Sequence, residues 1–235
     1  MLKDYLRKLG EKYAVTIPAD WEPEKMPLLP WRQERRFVEL KNLVTEPTVE
    51  NVVMCRFSCN TTPEFATLEE ILYRELDLCE FLVGSEIAGL YAAITTAAGG
   101  ARFANLLVRL ANGVVCSVEA GTTLKKGSVR PILDRHEMIG RRGVASDRVV
   151  DTHVPQDSVY VYTDAGTTIF TDTDSELFGL SNEEINQVRA AFALAKNPEL
   201  QDFTRLQDKR LKEWVALAFV SDEQKKYLTL EGGNA

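Results

Sequence analysis

Five stretches of this chain repeat apolar residues every three or four positions, and much of the remainder is short β-branched and aromatic runs. The spacing predicts an amphipathic helix over 2–14, with Leu2, Tyr5, Leu6, Leu9 and Tyr13 on one side, and a second helix over Gln33–Val44. Between them Pro18, Pro23, Pro27 and Pro30 exclude a regular helix or central strand over Thr16–Trp31, which reads as an extended arm. Trp21, Met26, Leu28, Leu29 and Trp31 imply that the arm packs onto something, either this chain or a neighbouring subunit. The strongest helix signal is LEEILYRELDLCEFLVG, Leu68–Gly84. Thr67 stands as its N-cap, and Leu68, Ile71, Leu72, Leu76, Cys79 and Val83 make one apolar face.

Strands are predicted at Val49–Cys59, Ile87–Thr95, Ile132–Ile139, Asp147–Thr152, Ser158–Thr163 and Thr167–Thr171. The clearest hairpin joins Asn105–Leu110 to Val114–Glu119 through Ala111-Asn112-Gly113, because Asn-Gly supplies the positive φ angles of a tight turn. Helices return at Asn182–Lys196, capped by Ser181, and at about Thr204–Phe219. Helices, then mostly adjacent strands, then helices do not alternate as a doubly wound fold would. The order reads as α+β: a large, mainly antiparallel open sheet with helices on one face. The N-terminal helix and Pro-rich arm occupy 1–35, and the α+β domain occupies 36–235. One sheet face is left for a partner or the arm to cover.

Composition narrows the functional classes. A formal net charge of −7 and a pI near 5.1 are the opposite of a nucleic-acid or anionic-membrane surface, and Arg141–Arg142 is too small a basic patch to reverse that. No apolar run approaches the roughly 20 residues that span a bilayer. Charges interrupt the N-terminus, so a secretory signal is not expected and the chain reads as cytoplasmic. Cys55, Cys59, Cys79 and Cys116 have apolar neighbours and read as buried, reduced thiols. Cys55 and Cys59, two pleats apart on one strand, would be about 13 Å apart, too far for a disulfide. No metal-ligand spacing is present, since His136 and His153 lie far from the cysteines in sequence.

Several segments, in order, resemble the C-terminal domain of the Gfo/Idh/MocA oxidoreductase family. FVELKNLVTEPTVENVVMCRF is similar to the family's helix, turn and first long strand; LDLCEFLVGSEIAGLYA to its central helix, glycine step and following strand; ANLLVRLANGVVCSVEAG to its hairpin. HEMIGRRGVASD is similar to a later strand-turn-strand, in which Glu137, Gly140 and Gly143 match. The resemblance runs from about Arg36 to Ala120 and more weakly towards Glu183. It implies a substrate domain that normally follows a Rossmann NAD(P) domain, with an open sheet that often makes an oligomer interface. No GxGxxG occurs in the chain, and about 120 residues of dinucleotide-binding fold are missing relative to the family. Glu24-Lys25-Met26-Pro27 resembles the family's Glu-Lys-Pro but carries an inserted Met26 and follows no strand.

The resemblance places three residues of the family's polar helix stripe at Glu70, Arg74 and Asp77, with Arg74 where the family has its proton-transferring histidine. Arginine stays charged and cannot do that work. Spacing at i, i+4 and i+7 points the three side chains the same way. They read either as a remnant polar pocket, with Arg74 gripping an anionic ligand or a carboxylate, or, the preferred and plainer reading, as an exposed ladder of charges on a solvated helix face. Gly121–Ser128 has the wrong spacing for a phosphate loop and reads as a surface loop. His136 reads as an ordinary strand histidine, and His153 as a loop residue near Asp151.

Together these imply a chain that does not bind NAD(P) alone and lacks the family's usual catalytic Lys and His. The leading expectation is a self-assembling, sugar- or polyol-type ligand-binding protein, or the partner of a separately encoded Rossmann subunit that would supply the NAD(P). The alternative is a non-catalytic structural or regulatory homo-oligomer, joined through the open sheet face, with a vestigial pocket.

Overall fold

A computed structural model describes residues 2–46, 48–148, 158–163, 165–171 and 179–230. Eight strands form one sheet in the order β2-β3-β4-β1-β5-β6-β7-β8. They are β1 (Met54–Thr61), β2 (Ile87–Thr96), β3 (Arg102–Leu110), β4 (Val115–Gly121), β5 (Ile132–Gly140), β6 (Gly143–Ser146), β7 (Ser158–Thr163) and β8 (Gly166–Thr171). Only β1 and β4 run parallel; the other neighbours are antiparallel. Five helices complete the described fold: α1 (Leu2–Tyr13), α2 (Arg35–Thr45), α3 (Leu68–Val83), α4 (Asn182–Lys196) and α5 (Glu199–Gln224). This is the α+β open sheet that the order of apolar patterns implies.

Period-2 alternation sorts the sheet into two faces. Cys55, Phe57 and Cys59 of β1, Leu106 and Val108 of β3, and Cys116, Val118 and Ala120 of β4 are buried under the helices. On the opposite face Arg56, Tyr91, Leu107 and Glu119 are exposed. All four cysteines are buried free thiols, as their apolar neighbours imply. Edge strand β2 is not bare. Ser221 Oγ accepts the Ala92 N–H, Asp222 Oδ1 accepts the Ile94 N–H, and Leu90 exchanges backbone hydrogen bonds with Leu228. Those contacts cover the row of unpaired groups an edge would otherwise present.

Three boundaries differ from the sequence pattern. β1 starts at Met54 rather than Val49, because Glu50 and Asn51 adopt positive φ and the carbonyls of Val49 and Glu50 accept the backbone N–H groups of Arg142 and Arg141. Of the strand expected at Asp147–Thr152, Asp147 and Arg148 are not in a strand: β6 ends at Ser146, Asp147 turns inward to accept the His136 backbone N–H at 2.7 Å, and 149–152 lie outside the described residues. Helix α5 is longer than its apolar repeat suggests, running from Glu199. Two glycines flank the β5–β6 turn where other backbone comes close: a Cβ on Gly140 would collide with the Val49 carbonyl, and one on Gly143 with the Tyr162 carbonyl of β7.

The arm packs on this chain's own helices rather than on the open sheet face. Two 3₁₀ turns, Pro23–Lys25 and Pro30–Gln33, carry it past α4 and α3, while α1 rests on α4. Leu29 is 3% exposed and takes a left-handed conformation (φ 46°), the strain of driving an arm side chain into the core.

Candidate functional site

Helix α3 organises the interior. Its N-terminus is closed by a capping box: Thr67 Oγ1 accepts the Glu70 N–H at 3.2 Å, and Glu70 Oε2 accepts the Thr67 N–H at 2.8 Å. Gly84 ends it in the left-handed region, φ +69°. Between these ends the helix carries two ion networks, one on each flank of its apolar stripe.

Towards β5, Arg74 donates to Asp134 Oδ2 at 2.8 Å and to Glu75 Oε1 at 3.1 Å. Arg36 from α2 donates to both Asp134 oxygens, to Asp147 Oδ2 at 3.1 Å and to Glu34 at 2.8 Å. Beneath them His136 has no exposure and lies between two carboxylates, Asp147 at 2.6 Å from Nδ1 and Glu75 at 2.9 Å from Nε2. Phe37 and Phe57 flank the ring, with centroids at 4.7 and 5.2 Å. Burial disfavours the imidazolium, but the Asp147 and Glu75 carboxylates outweigh it and raise the pKa to about 9. His136 is therefore doubly protonated at neutral pH and donates from both nitrogens. Burial likewise works against Asp134, yet Arg36 and Arg74 hold its carboxyl well below the usual range.

On the other flank, Asp77 is completely buried and accepts from Trp31 Nε1 (2.6 Å), Arg32 Nε (2.8 Å), Arg32 Nη2 (2.5 Å) and Gln207 Nε2 (3.1 Å). Glu80 one turn on accepts from Gln207 at 2.6 Å and Arg210 at 2.7 Å. Asp77 thus ties the arm and α5 to α3.

These contacts correct the picture of Glu70, Arg74 and Asp77 as one exposed ladder. Glu70 folds back to cap its own helix, Arg74 reaches β5, and Asp77 faces the arm and α5. Helical spacing fixes where a Cβ points, but long side chains bend towards whichever partner the fold brings near. The arrangement also leaves Arg74 without an open guanidinium for gripping an anion.

Glu70 and Arg74 do share a space. A cavity of about 880 Å³ opens between the arm, α3, α4 and α5. Pro27, Leu29 and Trp31 of the arm and Ile71 and Tyr73 of α3 give it apolar and aromatic walls; Asp77 lies outside the lining. Trp31 and Tyr73 meet edge to face, centroids 5.9 Å apart. Tyr73 Oη donates to Asp208 Oδ1 at 2.9 Å, and Lys212 donates to Asp208 Oδ2 at 2.8 Å. Burial, reinforced by Asp208, pushes the Tyr73 phenol up, so it stays a hydrogen-bond donor. Cys59 is on the same wall, its thiol pushed up by burial.

The remaining sequence candidates sit elsewhere. Lys25 is exposed and pairs with Glu22. The loop after Gly121 directs the Gly127 N–H to Glu64 at 2.8 Å, filling the position a phosphate would need. His153 lies outside the described residues. Among the described residues no cluster of His, Cys, Asp and Glu is arranged to hold a metal. Their topology does not fit a dinucleotide either. No strand there leads through a glycine-rich turn into a helix N-terminus, and the first turns of α3 and α4 are acidic. Local spacing gives His136 and Asp134 no special weight. Their signal was alternation: both fall on the same β5 face as Met138, the buried one.

Solved structures resemble this one over most of the chain. An oxidoreductase from Agrobacterium radiobacter, in complex with NAD+, L-tartaric acid and magnesium, superposes with a TM-score of 0.66 and 16% identity, covering 85% of this chain and 63% of its own. Levoglucosan dehydrogenase in complex with NADH and levoglucosan gives 0.65 and 13%, covering 86% and 65%. The transcriptional regulator Gal80p from Kluyveromyces lactis gives 0.62 and 16%, covering 87% and 59%. The fold is that of the Gfo/Idh/MocA-type oxidoreductases. Within that Gfo/Idh/MocA-type fold the chain spans less than two thirds of the length of each of these proteins, and at such identities the likeness establishes architecture alone. No protein-family model matches the sequence, and no curated protein matches it. Among the described residues no helix is long and apolar enough to cross a membrane.

Proposed function

We propose that this chain binds a sugar- or polyol-type ligand in the cavity between the arm, α3 and α4. It would act as the substrate-holding part of an oxidoreductase whose NAD(P)-binding half is supplied by a partner subunit. The observation that carries this reading is the cavity itself. Its volume of about 880 Å³ suits a small organic molecule. Aromatic faces at Trp31 and Tyr73 suit the C–H faces of a sugar ring, while Glu70, Asn186 and Asp208 offer hydrogen bonds to hydroxyls. Arg74 and His136 are both held as cations and take up no proton, so the hydroxyl proton released as hydride leaves the substrate carbon would pass to a cavity carboxylate or to a base of the partner.

Calorimetric titration with a panel of pyranoses and inositols tests the binding claim, with Ala66→Trp as the companion variant, since Ala66 lines the cavity and an indole there fills it. Binding that Ala66→Trp removes, with the thermal midpoint kept, supports the reading; no binding by any panel member refutes it. Fluorescence titration with NADH and NADPH should stay flat for the isolated chain, and clear micromolar binding would overturn the need for a partner.

One observation favours a second reading, a structural or regulatory homo-oligomer. Tyr91 and Leu107 stand directly opposite each other on the open sheet face and are 36% and 51% exposed. Light scattering tests it: a clean monomer at micromolar concentration counts against it.

A further inference from the structure

The charge of the ligand can be read from how the cavity's own charges are used. Its cations are Arg36, Arg74 and Lys212, and each is already engaged, by Glu34 and Asp134, by Glu75 and Asp134, and by Asp208 respectively. Two helix N-termini, those of α3 and α4, reach the lining, and such ends ordinarily attract anions. Both are filled from within. Glu70 Oε2 accepts the N–H and Oγ1–H of Thr67 at 2.8 and 2.9 Å, and Glu184 Oε2 does the same for Ser181 at 2.9 Å each. A phosphate or carboxylate entering the cavity therefore finds no open cation, and at each helix end it meets a carboxylate that already holds the cap.

It also meets repulsion. Glu69, Glu70 and Glu183 line the cavity at exposed positions, and among the described residues neither Glu70 nor Glu183 has a cation partner. Deeper in the wall, Thr61 is 1% exposed and its Oγ1 has no hydrogen-bond partner, a buried hydroxyl that a ligand hydroxyl or N–H group would satisfy. Trp31 and Tyr73 attract positive charge to their ring faces as well as stacking on apolar ones.

We propose that the cavity selects a sugar or polyol bearing an ammonium group, an aminosugar or aminocyclitol, and rejects sugar acids and sugar phosphates. This rests on the sugar-type reading above and goes beyond it in assigning the charge. Unpaired carboxylates at the mouth concentrate a cationic ligand and strengthen its hold once water is displaced.

Three pyranoses that share a ring and differ in charge separate the two claims: glucosamine, glucose and glucuronate, titrated calorimetrically into the full chain at pH 6.5. Glucosamine is expected to bind about tenfold more tightly than glucose, and glucuronate more weakly than glucose. Raising the salt from about 50 to 200 mM should weaken glucosamine while hardly moving glucose. Glu183→Gln, which leaves the Ser181–Glu184 cap in place, should weaken glucosamine several-fold more than glucose. Glucuronate binding as tightly as glucosamine, or equal binding of all three, overturns the charge assignment and leaves the sugar reading standing. Binding of none of them overturns both.

Discussion

Removing the charge on His136 should cost this protein a large part of its stability, and the loss should depend on pH in a direction the geometry sets. The imidazolium is sealed between Asp147 and Glu75 with no solvent exposure. Its pKa is raised from 6.5 to about 9 in the fold. Because the folded form holds the proton more tightly, the contribution is complete below about pH 6.5 and is lost as pH rises through 9. Each pKa unit corresponds to about 1.4 kcal/mol, so the rise is worth roughly 3 kcal/mol in all, most of it lost by pH 8.5. Urea denaturation followed by tryptophan fluorescence, run from pH 6 to 8.5, measures it in the wild type and in His136→Gln. The variant should be less stable throughout, because two buried carboxylates lose their cation, and its stability should lack the fall above pH 6.5. Parallel curves for the two proteins would refute the assignment. Proton NMR supplies an independent check, since the chain has only two histidines. One imidazole should show no titration below about pH 8, and midpoints near 6.5 for both would contradict the buried clamp.

Asp77→Asn strips the charge that holds Arg32 and Trp31, and should cost about 3–5 kcal/mol, the usual consequence of breaking a buried ion pair from one side; denaturant melts measure it, and limited proteolysis should show cleavage within the 16–31 arm before the rest of the chain. Thr67→Ala removes the reciprocal cap of α3 and should cost about 1 kcal/mol, as should Gly84→Ala, where a side chain meets nothing within 4 Å and only the left-handed backbone is strained. A Gly84→Ala loss well above 2 kcal/mol would mean that the site is packed rather than open, contrary to the structure.

The local signals along the chain were sufficient for the elements. Helix α3 has its predicted bounds, because Thr67, Glu70 and Gly84 are start and stop chemistry that acts within one turn. The Asn112-Gly113 hairpin and the Ser181 cap were legible for the same reason: turns and caps are satisfied by residues a few positions away. Alternation along β1, β3 and β4 likewise placed the buried face, since the pleat has a period of two whatever the sheet order.

The site was decided at longer range. Arg36, Arg74, Asp134, His136 and Asp147 are brought together from three elements and the bend after β6, spread over more than a hundred positions, and nothing in any one segment says that Arg74 will meet Asp134 rather than water. An arginine or histidine on a helix or strand has the same local pattern whether it is solvated or clamped. Only the β1–β5 pairing and the packing of α2 and α3 over it turn those charges into a buried network. The arm follows the same rule. Its prolines excluded regular structure locally, but that it would close a cavity over α3, with Asp77 as its anchor, depended on which surface the folded sheet and helices offered it.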